Sequence, residues 1–122
     1  MSSIKAIDLT RLATDIKQWG TDLGFQQIGI SDIDLHEHEQ HLHNWLANDY
    51  HGSMNYMARH GTKRSRPREL EPETIRVITA RMDYLPADTN LVTVLNSPHK
   101  GYVSRYALGR DYHKLIRKRL IN

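Results

Sequence analysis

Three patterns in the 122-residue sequence predict a mixed fold of the α/β class, with α+β as the alternative arrangement. Apolar residues recur at helical spacing near the start. Two runs rich in β-type residues follow, Phe25–Ile30 and Thr74–Leu85, with helical stretches between them. A basic segment with an apolar stripe ends the chain.

Taken in order, Leu9, Leu12, Ile16, Trp19 and Leu23 fall three or four apart and mark one face of an amphipathic helix. Gly24 is placed to end it, because a left-handed residue after a helix is cheapest as glycine. Phe25–Ile30 is a first strand, and Ser31 or Asp32 is placed to cap what comes next. Leu35, Leu42, Trp45 and Leu46 give a second helix, which Gly52 interrupts before a short helix over Met54–His60. Thr62–Pro72, rich in charge and proline, predicts a loop with one turn of helix. Thr74–Leu85 is a second strand and Pro86–Pro98 a polar loop. Tyr112, Leu115, Ile116 and Leu120 form the stripe of the last helix, with Asp111 as its cap. That stripe faces nothing obvious, so the sequence reads as cut before its fold is finished.

Composition excludes several classes of chemistry. Hydrophobic residues at 39% and charged residues at 25% argue against disorder. The absence of cysteine rules out disulfides, thiolate metal sites and a cysteine nucleophile. The opening residues carry no leader-like apolar run, and no stretch approaches the roughly 18 apolar residues of a membrane span. A cytoplasmic protein with no membrane partner is the expectation. Net charge divides sharply: residues 1–50 carry −5 and residues 51–122 carry +8. The basic half suits an anionic partner such as a nucleic acid or a phosphorylated cofactor, and equally an unevenly charged solvated surface.

The histidines of His36–His43 (HEHEQHLH) invite a metal reading, but only His38 and His41 have the spacing for one helix face and no HExxH occurs. No metal site is predicted. Nucleotide-loop and hydrolase-elbow motifs are missing as well. Two segments carry more. Arg59–Arg68 holds five Lys and Arg in ten residues, with guanidinium forks suited to phosphate or carboxamide oxygens. Gly101–Lys114 interleaves three tyrosines with arginine, serine and two glycines. Such a mixture suits a large planar ligand with polar edges, or single-stranded nucleic acid stacked on the rings. It also suits a plain strand, turn and helix with half-buried tyrosines.

YHGSMNYMARH (Tyr50–His60), KRSRPREL (Lys63–Leu70), RVITARMDYLP (Arg76–Pro86) and GYVSRYALGRDYHKLIR (Gly101–Arg117) closely resemble the epoxyqueuosine reductase family, and WGTDLGFQQIGI (Trp19–Ile30) looks like its start. That family is similar to the cobalamin-dependent reductive dehalogenases. The resemblance implies that residues 1–122 are a single, truncated, N-terminal cobalamin-binding domain, with an acidic helical part in 1–50 and the cofactor-binding motifs in 51–122. It implies an oxidoreductase that converts epoxyqueuosine to queuosine at the wobble position of tRNA, using cobalamin and two [4Fe–4S] clusters. The cluster cysteines are absent here, and the family's catalytic aspartate belongs further on, so neither Asp83 nor Asp111 takes that role and the chain alone is expected to be inactive. Arg64 and Ser104 match cobalamin contacts of the family, with Tyr106, Asp111, Tyr112 and His113 as neighbours in the same motif. The basic helix Lys114–Arg119 is a candidate for tRNA backbone contacts. Two rival readings stay open: a small non-catalytic RNA-binding module, and an inactive truncated relic.

Overall fold

Each long helix starts where a side chain can take up the free N–H groups of its first turn. In the computed structural model, which describes residues 6–122, Asp8 accepts from the backbone of Thr10 and Arg11 at 3.0 and 3.1 Å and opens helix α1, Leu9–Asp22. The helix closes in a Schellman arrangement. Gly24 N–H reaches the Thr21 carbonyl, Phe25 N–H reaches that of Gly20, and Gly24 takes φ +93°. Residues 1–5, part of the segment read for a leader, lie outside the described residues.

Strand β1, Gln27–Ser31, follows at once and pairs with β2, Val77–Arg81, in a two-stranded sheet. Helix α2 spans His36–Ala47. Its first turn is served neither by Ser31 nor by Asp32: the Asp34 carboxylate accepts the His36 N–H, while Asp32 accepts that of Asp34. Two residues of extra chain after β1 move the capping position onward. Short 3₁₀ turns follow at Asn55–Met57 and Gly61–Arg64, then helix α3, Pro67–Leu70, with proline in its first turn. The first of these turns replaces the helix expected over Met54–His60.

The second strand is shorter than Thr74–Leu85. At Asp83 the backbone N–H leaves the ladder for the Gln26 side chain, 2.7 Å away. Within the expected loop Pro86–Pro98 lies helix α4, Leu91–Leu95, whose Asn90 cap accepts from Thr93 N–H at 3.1 Å. A side-chain cap here outweighs the β-branched residues that weaken a helix. Helix α5, Tyr112–Ile121, is capped by Asp111 as expected. The segment before it contains no strand, only a 3₁₀ turn at Arg105–Ala107.

The chain divides into two compact units, one formed by Met1–Gly29 with Ala80–Asn122, the other by Ile30–Thr79. In the first, Phe25 is 3% exposed and lies under the Arg119 guanidinium, which also donates to the Gly24 carbonyl at 3.0 Å. Leu12, Ile16 and Leu23 of the α1 stripe are half-buried, but Leu9 and Trp19 are exposed. In the second unit the buried residue is polar: Ser65, 6% exposed. No helix among the described residues is long and apolar enough to cross a membrane.

Candidate functional site

The segment that carried three interleaved tyrosines folds into a chain of aromatic rings at the start of α5. Asp111 fixes its base. The Asp111 carboxylate accepts the His113 backbone N–H at 3.0 Å and lies 3.1 Å from the ring Nδ1 of the same histidine. Those two bonds, the backbone one first, hold the Asp111 carboxyl below the ordinary carboxylate range. With its ring so placed, His113 stacks on Tyr112 at 4.0 Å between centroids. Tyr106 meets Tyr112 edge-on at 6.2 Å, and Tyr84 meets Tyr106 in the same way at 6.4 Å.

These rings are largely open to solvent, Tyr84 at 61% and Tyr106 at 53%. An apolar cavity of about 330 Å³ lies against Met82, Tyr84, Tyr106, Tyr112 and Ile116. A second hollow of about 430 Å³ adds Arg105, Arg110 and Arg119 to the tyrosine edge. An open groove lined by Tyr102, Ser104 and Arg105 lies against the Arg81–Leu85 segment. Arg105 is fixed by Tyr102, its Nε donating to the phenol oxygen at 2.9 Å and its guanidinium lying 4.2 Å from the ring centre. Ser104 precedes the 3₁₀ turn and makes no side-chain cap bond, so its hydroxyl is not used to start that turn.

Five of the six candidate residues therefore come from one stretch: Tyr106, Asp111, Tyr112 and His113 in direct contact, with Ser104 in the groove beside Tyr84. Sequence reasoning missed Tyr84, Met82 and Arg105. Tyr84 was hidden inside a run taken for strand, and only its position just past the end of β2 puts it beside Tyr106.

The sixth, Arg64, lies in the other unit. Its guanidinium donates to the Tyr56 carbonyl at 2.6 Å and lies 5.8 Å from that ring's centre. The next two residues are tied to α2. Ser65 donates its hydroxyl to Glu39 at 2.6 Å, and Arg66 grips both Glu39 oxygens, each at 3.0 Å. Arg66, then Ser65, pull the Glu39 carboxyl down to about 2. Glu69 completes the cluster, accepting from Arg66 at 3.2 Å and from the Thr62 hydroxyl at 2.5 Å. Of the histidine run, His36 pairs its ring with Asp34 at 2.7 Å, and the described residues hold no group of three or more potential metal ligands.

Comparison with known proteins gives this geometry a context. Residues 64–122 match the family model described as "Epoxyqueuosine reductase QueG, DUF1730". The chain is 68% identical to an epoxyqueuosine reductase of Pseudomonas aeruginosa over 113 residues, 93% of this chain and 31% of that protein. It is 60% identical to the Escherichia coli epoxyqueuosine reductase over 114 residues, 93% of this chain and 30% of the relative. The Vibrio cholerae epoxyqueuosine reductase is 54% identical over a similar span. The chain thus spans somewhat under a third of the length of the curated relatives it matches. No solved structure matches it.

Proposed function

We propose that this chain belongs to the epoxyqueuosine reductase family and builds the cobalamin-binding surface of a cytoplasmic enzyme that reduces epoxyqueuosine to queuosine in the wobble position of tRNA. The observation that carries this reading is the linked series Tyr84, Tyr106, Tyr112 and His113, within the matched span and beside open hollows of a few hundred cubic ångströms. Cobalamin has a broad apolar face and amide-bearing edges. The tyrosine rings fit the first, and Ser104 and Arg105 fit the second. When bound, cobalamin would supply redox chemistry at its cobalt, with the electrons delivered by a donor outside this chain. The chain's own residues bind and orient: Asp111 holds His113, His113 backs Tyr112, and Tyr102 keeps Arg105 in place. The two [4Fe–4S] clusters do not fit these residues, because the chain has no cysteine to hold them. For tRNA, the exposed Lys114, Arg117 and Lys118 of α5 offer phosphate contacts.

Titration with hydroxocobalamin, followed by its absorption spectrum, tests the reading. Binding is expected for the parent chain, with Tyr106→Ala weakening it by about tenfold, the size of an aromatic anchor lost from a binding surface. A folded chain that leaves the spectrum unchanged, yet binds tRNA in a steeply salt-dependent way, would replace this reading with the RNA-binding module.

A further inference from the structure

We propose that Arg105, Arg110 and Arg119 form an anion subsite at the edge of the tyrosine surface, one that takes the phosphate of a ligand whose flat ring system lies against Tyr106 and Tyr112. The inference rests on the reading of that surface as a ligand site and adds the charged end of the ligand, without requiring that the ligand be cobalamin.

Two hollows share one wall. Met82, Tyr84, Tyr106 and Tyr112 border both the apolar cavity and the larger hollow beside it; Ile116 completes the first, and the three arginines join the second. All of these residues belong to one compact unit. Against three guanidiniums the larger hollow holds one carboxylate, that of Asp83, which already faces Arg81 at 3.1 Å. Among the described residues none of the three arginines has an ion-pair partner. For two of them that is unusual. Arg105 and Arg119 are half-buried, and charges withdrawn from water are ordinarily paired with an opposite charge. Their bonds within the chain go to neutral groups. Arg105 gives its Nε to the Tyr102 phenol, which leaves both amino groups to a further acceptor. Arg119 turns one amino nitrogen to the Gly24 carbonyl and the Met82 sulfur, which leaves its Nε and its other amino group. Arg110 is exposed, and its backbone is set from both sides, by Gly109 at φ +79° and by Asp111 as the cap of α5. Three like charges around one hollow repel each other, and an anion among them removes that cost. Phosphate, with oxygens in several directions, meets guanidinium forks arriving from several sides better than a flat carboxylate does. The aromatic wall selects a phosphate carried next to a flat ring, as in a nucleotide unit. Such a unit comes either from nucleic acid or from the nucleotide tail of a cobalamin.

The test compares two pairs of probes that differ by the phosphate: adenosine 5′-monophosphate against adenosine by calorimetry, and hydroxocobalamin against cobinamide, which lacks the nucleotide tail, by absorption. The parent chain is expected to prefer the phosphate-bearing member of a pair by about tenfold at low salt. Arg110→Gln, at an exposed residue with little packing to lose, should cut that preference about three- to tenfold, and Arg105→Gln should do the same. Lys100→Gln, which removes an equal charge outside the hollow, should leave it unchanged. Loss of preference in the corrinoid pair assigns the subsite to the cofactor's tail; loss confined to the adenosine pair assigns it to nucleic acid. Preferences that survive both arginine substitutions in both pairs, or that fall as far in Lys100→Gln, overturn the inference while corrinoid binding upholds the cofactor reading. Arginine-dependent binding of the monophosphate by a chain that takes up neither corrinoid does the reverse, and a parent chain that binds none of the four probes overturns both.

Discussion

Gly20 and Gly24, four residues apart at the end of α1, are constrained for different reasons. Gly24 takes φ +93°, and a Cβ there would also come within 3.1 Å of the Arg119 guanidinium. Gly20 has ordinary helical backbone, but a Cβ there would overlap the Ile28 side chain. Gly24→Ala should therefore cost at least about 1 kcal/mol and lower the melting temperature by several degrees; a melt indistinguishable from the parent's would refute this account of the turn. Gly24 was legible in the sequence, because a glycine after a helical stripe has a local reason to be there. Gly20 was not. Its constraint comes from Ile28, eight residues on, and only the return of the chain through the Schellman turn brings that side chain near. The same holds for the site: Asp111 as a cap is a local matter and was read correctly, whereas the meeting of Tyr84 with Tyr106 depends on how 21 intervening residues fold.

Elements differ in how much of their placement is local. Helices α1, α2 and α5 were found from spacing alone, because an amphipathic stripe is a property of the segment itself. Helix α4 was not, since five residues with three β-branched or bulky neighbours carry no stripe, and the Asn90 cap decides their state. The tie between α2 and the Gly61–Leu70 segment makes a prediction about acid. Glu39 has its carboxyl lowered from an ordinary 4.5 to about 2, chiefly by Arg66 and then by Ser65. A group whose folded pKa is depressed contributes stability above its unfolded value and loses it as pH falls through the folded one. Glu39→Gln should thus melt lower than the parent near neutral pH, and the gap should close between about pH 4.5 and 2 as the parent's Glu39 is protonated. Melts recorded across that range check it, and a gap that stays constant down to pH 2 would show that the ion pair is not its source.

At the scale of the molecule, Phe25 is the one buried hydrophobic residue among those described, while Leu120 and Ile121 at the end of α5 are 61% and 77% exposed. Exposed apolar side chains in such number favour contact with other apolar surface. The isolated chain is expected to sediment with a mass that rises with concentration. Leu120→Lys with Ile121→Lys should reduce that rise; unchanged sedimentation in the double variant would place the sticky surface elsewhere. Of the stripe read on the last helix, Leu120 is exposed as expected, while Leu115 and Ile116 are half-buried. The division into two units was not legible in the sequence, because their boundaries fall inside β1 and β2 and leave no linker composition to read.

That division also sets an order of events during synthesis. Residues 30–79 are continuous, so a ribosome delivers the whole of that unit before it has begun the second portion of the other. The stretch ending at Gly29 emerges before that unit yet must wait for Arg119, which covers Phe25 and takes up the Gly24 carbonyl. At about 5–20 residues per second, translation of the intervening segments keeps that aromatic ring uncovered for several seconds. Helix α1 is thus made well before the residue that completes its packing, and chaperones that recognise bare apolar segments have an opportunity there in the interval.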